Sequence, residues 1–238
     1  MSKIKSISIM FPLYNDKNTV ELMITKSLSV LKKLKKKYEI IIVDDGCPQN
    51  SGKLAAKIAK KFANIKIFFH KKNLGYGAAI RTGLKKCKND WIFITDGDNE
   101  FDVNDLLKLV KAAKYNDLVI TYRHKKIYNT KRIVISWIYN AIVRLLFRTK
   151  FRDVSSASRL VSKKLAKSIK LKSTSAFLGS ELVIKSVWAG YKVGEIGIYQ
   201  YPQTFRNESI SLKNILLTIK DMILLWWDFG LRKWCKMV

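Results

Sequence analysis

Trp91, Ile92, Phe93 and Ile94 form an apolar run that ends in Thr95, Asp96, Gly97, Asp98, Asn99 and Glu100. An apolar run of this length bounded by turn formers reads as a strand covered on both faces, and open α/β sheets bind ligands just beyond the carboxyl ends of such strands. Three carboxylates packed this closely repel one another unless a positive charge sits among them. A divalent cation meets that need, since carboxylate oxygens suit magnesium or manganese, which also hold nucleotide phosphates. The same residues would equally make a solvated turn before a helix capped by Asp102. A second apolar run, Glu39 to Val43, ends the same way, in Asp44, Asp45 and Gly46.

The elements that must position these acids follow from the hydrophobic pattern. Ile7 to Phe11 reads as a strand closing at Pro12, with Leu13, Tyr14, Asn15 and Asp16 as a polar turn at its end. Val20, Ile24, Leu28 and Leu31 recur at helical spacing, with Asp16 or Asn18 as cap. Ser51 opens a helix carrying Leu54, Ile58 and Phe62, and Ile65 to Phe69 is a third strand. Asn73, Gly75, Gly77, Arg81 and Gly83 form a glycine-bearing turn into a helix, which brings backbone close to a ligand or to another element. It is not the dinucleotide fingerprint, because Ile80 stands where a third glycine belongs. The Trp91 strand, a helix from Asp102 and a strand from Leu118 to Tyr122 complete an α/β pattern, a mostly parallel sheet with helices on both faces.

Beyond Tyr122 the pattern changes. Arg123 to Arg132 is a basic loop, and about residues 131–148 carry Ile133, Trp137, Ile138, Ala141, Leu145 and Leu146 between Arg132, Arg144 and Arg148. That makeup fits a helix lying in a membrane interface and equally a core-packing helix. Leu160 to Ile169 and Ser180 to Trp188 are expected as helices, the second stopped by Gly190, and Val193 to Tyr201 as an edge strand. The stretch from Ile215 to Trp234 is apolar and tryptophan-rich with Lys213, Arg232, Lys233 and Lys236 beside it, an interface-anchor pattern. We therefore divide the chain into a domain over 1–211 and an amphipathic segment over 212–238.

With 238 residues, 48% of them hydrophobic, the chain can bury one substantial core. Lys and Arg outnumber Asp and Glu by 46 to 18, a net charge of +28, so an anionic partner is expected. Cys47, Cys87 and Cys235 show neither a disulfide framework nor zinc-ligand spacing, and the first residues lack the makeup of a secretory signal. No run reaches the ~20 apolar residues needed to cross a bilayer. A cytoplasmic protein, peripheral on the cytoplasmic face of a membrane, is expected.

Taken together, Pro12-Leu13-Tyr14-Asn15, Val43-Asp44-Asp45-Gly46, Asn73-x-Gly75-x-Gly77-Ala78 and Asp96-Gly97-Asp98-Asn99-Glu100 resemble the family 2 glycosyltransferases of the GT-A fold, and within them the dolichyl- or polyprenyl-phosphate mannosyl- and glucosyltransferases. The resemblance implies a Rossmann-like GT-A domain. Pro12, Tyr14, Asn15, Asp16, Asp44, Asp45 and Gly75 would hold the nucleotide-sugar, and Asp96 and Asp98 a Mg2+ or Mn2+ ion on its diphosphate. Glu100 stands where the family often has glutamine, near that metal. Arg123, Arg132, Ser136 and Arg206 match positions that in the subgroup bind acceptor phosphate and donor diphosphate, and Asp153 matches too. Ala157-Ser158 replaces the usual Gly-Phe, and Glu208 to Ser211 departs from the usual Gly-x-Ser-Lys.

The resemblance implies metal-dependent, inverting transfer of a hexose from a UDP- or GDP-sugar to a polyprenyl phosphate at an anionic membrane surface. One rival is transfer to a hydroxyl of a cell-surface glycan, with Glu181 or another carboxylate as base, although Glu181 also suits the first turn of a helix. Another is a basic nucleic-acid-binding protein, which the lack of any RNA-binding or helix-turn-helix signature disfavours. A scaffold without activity is opposed by the intact acidic motifs. His70 and His124 are assigned no chemistry.

Overall fold

The computed structural model describes residues 4–202 and 211–234. Its centre is a seven-stranded sheet: β1 (Ser6–Leu13), β2 (Lys37–Asp44), β3 (Ile65–Phe69), β4 (Trp91–Ile94), β5 (Leu118–Arg123), β6 (Arg159–Ser162) and β7 (Val193–Ile198), in the order β3-β2-β1-β4-β6-β5-β7. Every neighbouring pair is parallel except those made by β6, which runs antiparallel to β4 and β5. The helices are α1 (Val20–Leu34), α2 (Ser51–Ala59), α3 (Tyr76–Lys86), α4 (Leu106–Ala112), α5 (Thr130–Phe147), α6 (Lys163–Ser168), α7 (Leu178–Trp188) and α8 (Leu212–Trp234), with a 3-10 turn at Val103–Asp105 leading into α4.

β1 and β4, interior strands of the sheet, are buried along their whole length, which is why β4 reads as an unbroken apolar run and β1 is apolar apart from Ser6 and Ser8. Ile9, Phe11, Ile40, Ile42 and Phe93 pack on one face of the sheet with Met23, Ile24, Leu31 and Leu106 of α1 and α4. Met10, Ile41, Val43, Ile92 and Ile94 pack on the other with residues of α3, α5, α6, α7 and α8.

The structure corrects one element. Leu160 to Ile169, expected as a helix, divides into β6 and α6. Between β4 and β5, the backbone of Arg159 to Ser162 gains ladder partners on both sides, and the Ser162 hydroxyl then accepts from Leu165 N at 3.3 Å to start the helix. β7 is the expected edge strand, and α7 ends before Gly190 at φ 78°. Asp102 caps its turn as expected, accepting from Asn104 N at 2.9 Å. Neither Asp16 nor Asn18 caps α1: Thr19 holds that position, and the Asp16 carboxylate turns toward Tyr14 N instead. α2 begins after Asn50, and Asp44 rather than Ser51 supplies its side-chain acceptor.

α5 buries only Asn140, Val143 and Phe147. Trp137 and Leu145 are 66% and 80% exposed, and Val134, Ile138, Ile142 and Leu146 are exposed beside them. On α8, Met222 and Leu225 reach the core, while Leu216, Ile219, Ile223, Leu224, Trp226 and Trp227 remain exposed. Asp221 and Asp228 hold this helix to the chain before α7, through Ser175 and Lys172. Each of the two helices therefore covers the core with one face and leaves an apolar face bare. No described helix is long and apolar enough to cross a membrane.

Candidate active site

Because β1, β2 and β4 are parallel and adjacent, their carboxyl ends open on one edge of the sheet, and the turns after all three meet there. Leu13 pairs with Asp44, Met10 pairs with Ile94, and the amides of Asp45 and Thr95 donate to the carbonyls of Leu13 and Met10. Pro12 lies inside the last part of β1 rather than after it. Asn15 follows in the left-handed region at φ 63°, and the Thr19 hydroxyl donates to Gly97 O at 2.7 Å, joining the first turn to the third. A Cβ at Gly97 would stand 2.8 Å from Pro12 O and 3.3 Å from an Asp16 oxygen, so only glycine permits this approach.

Asp44 and Asp45 are clasps. Asp44 accepts from Cys47 N and Gly52 N, both at 2.7 Å, and so closes its own turn and caps α2. Asp45 accepts from Leu74 N at 3.0 Å and Gly75 N at 2.9 Å, and from His70 Nδ1 at 2.7 Å. His70, assigned no chemistry from the sequence, reaches Thr82 with its other nitrogen. Gly75 itself has φ 96°, which suits glycine alone, and its turn opens α3.

The third turn is in a different condition. Asp96 accepts a hydrogen bond from the Tyr76 hydroxyl at 2.9 Å, and its pKa is raised well above the ordinary value, first by burial and then by the charges of Asp98, Glu100 and Asp16. Asp98 accepts from Glu100 N at 3.0 Å. Crowded acids of this kind are the donor chemistry a hard divalent cation stabilises, and two carboxylates suffice where diphosphate oxygens and water complete the shell. Glu100, expected near the metal, is engaged through one of its two carboxylate oxygens. It is buried, its Oε1 accepts from Tyr128 and Gln200, and among the described residues no three acids, histidines or cysteines close on one cation position. Burial and Asp98 raise its pKa, and the hydrogen bond from Tyr128 and the charges of Arg132 and Arg123 oppose them.

The basic residues stand on the β5 side of the same edge. Arg123 does not present an open fork to solvent: its Nε and Nη2 pair with both oxygens of Asp153 at 2.7 and 3.0 Å, and Nη1 meets the Tyr128 hydroxyl at 3.2 Å. Burial would raise the Asp153 pKa, but the charge of Arg123 and its hydrogen bonds, helped by Lys126 and Ser155, hold it at about 2. Arg132, in the first turn of α5, lies 3.6 Å over the Tyr128 ring, and Ser136 accepts from Lys126 Nζ at 2.7 Å. Arg206 lies outside the described residues. Glu181 is buried in the first turn of α7 and accepts from Lys172 N, Ser173 N and Lys185 Nζ, so it is a structural acid rather than a base. Sequence reasoning missed Tyr76, Tyr128 and Arg159. Tyr76 carried a signal in its place between Gly75 and Gly77; Arg159 carried none once its strand was read as helix.

Residues 8–170 match the Glycosyl transferase family 2 model. The chain belongs to this family. Among its relatives, the glycosyltransferase AglD of Haloferax volcanii is 22% identical over 237 residues, which are 95% of this chain and 38% of AglD. The undecaprenyl-phosphate 4-deoxy-4-formamido-L-arabinose transferase of Photorhabdus laumondii is 30% identical over 59% of this chain and 44% of its own length. The human dolichyl-phosphate beta-glucosyltransferase is 33% identical over 49% of this chain and 38% of its own. The chain thus spans less than half the length of these three family members. Glucosyl-3-phosphoglycerate synthase from Mycobacterium tuberculosis, solved with Mn2+, uridine-diphosphate and phosphoglyceric acid, superposes with a TM-score of 0.73 at 15% identity, over 93% of this chain and 78% of that one. The shared architecture is the GT-A fold expected from the sequence.

Proposed function

We propose that this family 2 protein transfers a hexose, with inversion, from a UDP- or GDP-sugar to a polyprenyl phosphate. The observation that carries the reading is the meeting of the β1, β2 and β4 turns at one sheet edge, with crowded acids on one side and buried arginines on the other. Pro12, Tyr14, Asn15 and Asp16 face the nucleoside, and Asp44, Asp45 and Gly75 fix the shape of the loop that receives it. Asp96 and Asp98 would hold Mg2+ or Mn2+, which when bound neutralises charge on the donor's diphosphate. An oxygen of the acceptor phosphate forms the bond to the anomeric carbon as the bond to the diphosphate breaks, and the nucleoside diphosphate leaves with the electron pair. The acceptor is already ionised and needs no base, which agrees with Glu181 being spent on backbone amides. Arg132 and Arg206 gather the anionic groups, while Arg123, locked to Asp153, holds that wall in place.

Two relatives named for undecaprenyl or dolichyl phosphate support a lipid acceptor, and the neighbour solved with Mn2+ and UDP supports a metal-held donor. The bare apolar faces of α5 and α8 and the net charge of +28 support attachment to the anionic, cytoplasmic face of a membrane, with 1–211 as the transferase domain and 212–238 as the interface segment. The purified protein, given labelled UDP- and GDP-sugars, Mn2+ and polyprenyl phosphate in anionic vesicles, is expected to form a lipid-linked sugar. No lipid-linked product from any donor overturns this function. A labelled glycan in its place favours the hydroxyl-acceptor rival, and RNA binding that survives D96A and D98A together would revive the nucleic-acid one.

A further inference from the structure

Two buried arginines stand on neighbouring strands of this site, and among the described residues only one has a partner acid. Arg123 on β5 is paired through two nitrogens with Asp153. Arg159 on β6 is 5% exposed; among the described residues it donates only to backbone carbonyls, those of Ser156 and Ala157, its Nη1 has no hydrogen-bond partner, and no carboxylate makes an ion pair with it. A guanidinium stripped of water and left without an acid in contact is costly, so its charge must be compensated at longer range.

The sheet register says by what. Arg159 lies opposite Ile94, two residues before Asp96, so it shares with Asp96 the sheet face that carries α3 and α7. Burial lowers the Arg159 pKa, and Tyr76 and Asp96, ahead of Tyr139 and Asp153, act against that lowering. The guanidinium is also clamped: a Cβ at Gly179 would fall 2.5 Å from both of its terminal nitrogens, so α7 can pass over it only as glycine.

We propose that Arg159 is a positioning residue that acts on the donor site through a fixed charge, opposing uptake of a bare divalent cation by Asp96 and Asp98 and favouring the anionic diphosphate. Metal then loads with the donor rather than ahead of it. The inference rests on the metal and donor reading above and deepens it, because it assigns to Arg159 the order in which that site fills.

The test is a Mn2+ titration of the full chain, followed by the electron paramagnetic resonance of the free ion, beside UDP and GDP titrations without metal. R159M is expected to bind Mn2+ alone roughly tenfold more tightly and whichever nucleoside diphosphate the wild type binds several-fold more weakly. R159K keeps the charge and stays near wild type for both. Opposite shifts distinguish a charge effect from damage, which weakens both. Unchanged or weaker Mn2+ binding by R159M, in a protein that melts as wild type does, overturns the proposal. If R159M fails to fold, G179A, which displaces the guanidinium from its seat, is expected to shift both affinities in the directions given for R159M, and unchanged affinities there overturn it too. Wild-type protein that binds no Mn2+, with or without nucleotide, or whose Mn2+ binding survives D98N, brings down the metal reading itself and this inference with it.

Discussion

The turns after β2 and β4 use the same residue types at the end of the same kind of buried parallel strand, yet they have been put to opposite uses. Asp44 and Asp45 are surrounded by donors: four backbone amides and one imidazole converge on the pair. Among the described residues Asp96, half-buried, receives one tyrosine hydroxyl and no backbone amide, is crowded by other acids, and has only the distant charge of Arg159 to offset them. A carboxylate supplied with amides lowers the energy of the fold that supplies them. One crowded by its own kind raises that energy until a cation arrives. Acidic turns that look alike in sequence can thus be a clasp or a receptor, and the count of nearby N–H donors tells them apart.

The comparison breaks first, and most visibly, at Asp98. Asp98→Asn is expected to lower kcat about a thousandfold, the scale on which an electrostatic stabiliser of a leaving group acts. The melting temperature should hold or rise, since one of several like charges has been removed. Activity kept within tenfold, or a fall of many degrees in melting temperature, would show that the β4 turn is a clasp as well.

Asp153 sharpens the contrast, because it is an acid whose buried partner is a cation. Asp153→Asn strands Arg123 in the core and is expected to cost about 3 kcal/mol by denaturant unfolding. The sign with pH follows from the pKa of about 2. The carboxylate is more acidic in the folded protein than the ordinary 3.8, so its stabilisation is complete above pH 4 or so and drains away as the pH falls toward 2. The gap between wild type and D153N should therefore narrow over that window, and a gap that widens on acidification would contradict the ion pair.

How far the sequence could foresee this differs from element to element. The parallel core strands were legible because burial on both faces leaves a mostly apolar run, and the acidic ends of β2 and β4 marked the edge proposed to bind ligands. β6 was not, because a strand of four residues carrying an arginine has too little length to show a period; only its place between β4 and β5 makes it a strand. The residue types at the site were visible, and their partners were not. Nothing in Val43-Asp44-Asp45-Gly46 says that Gly52 and Gly75, 8 and 30 residues further on, will send amides back to it. Nor does the pattern say that Glu100 will be taken by Gln200, 100 residues away. α5 was legible as amphipathic, but periodicity alone does not say which face meets the core, and the answer leaves Trp137 outside.

The smallest effect is expected at Asp44, where the clasp is tested directly. Asp44→Asn keeps the shape and one carbonyl-type acceptor but exchanges the other oxygen for a donor, which then faces either Cys47 N or Gly52 N. Losing one charge-assisted hydrogen bond and setting two donors against each other should cost about 2 kcal/mol in unfolding free energy. Under the proposed function the loop it closes receives the nucleoside, so KM for the donor should rise several-fold while kcat at saturating donor changes little. That division between a stability and KM effect at the β2 turn and a kcat effect at the β4 turn is what the hydrogen bonds require. A variant of Asp44 that melts normally but loses kcat as Asp98→Asn does would place both turns in one chemical role and erase the distinction between them.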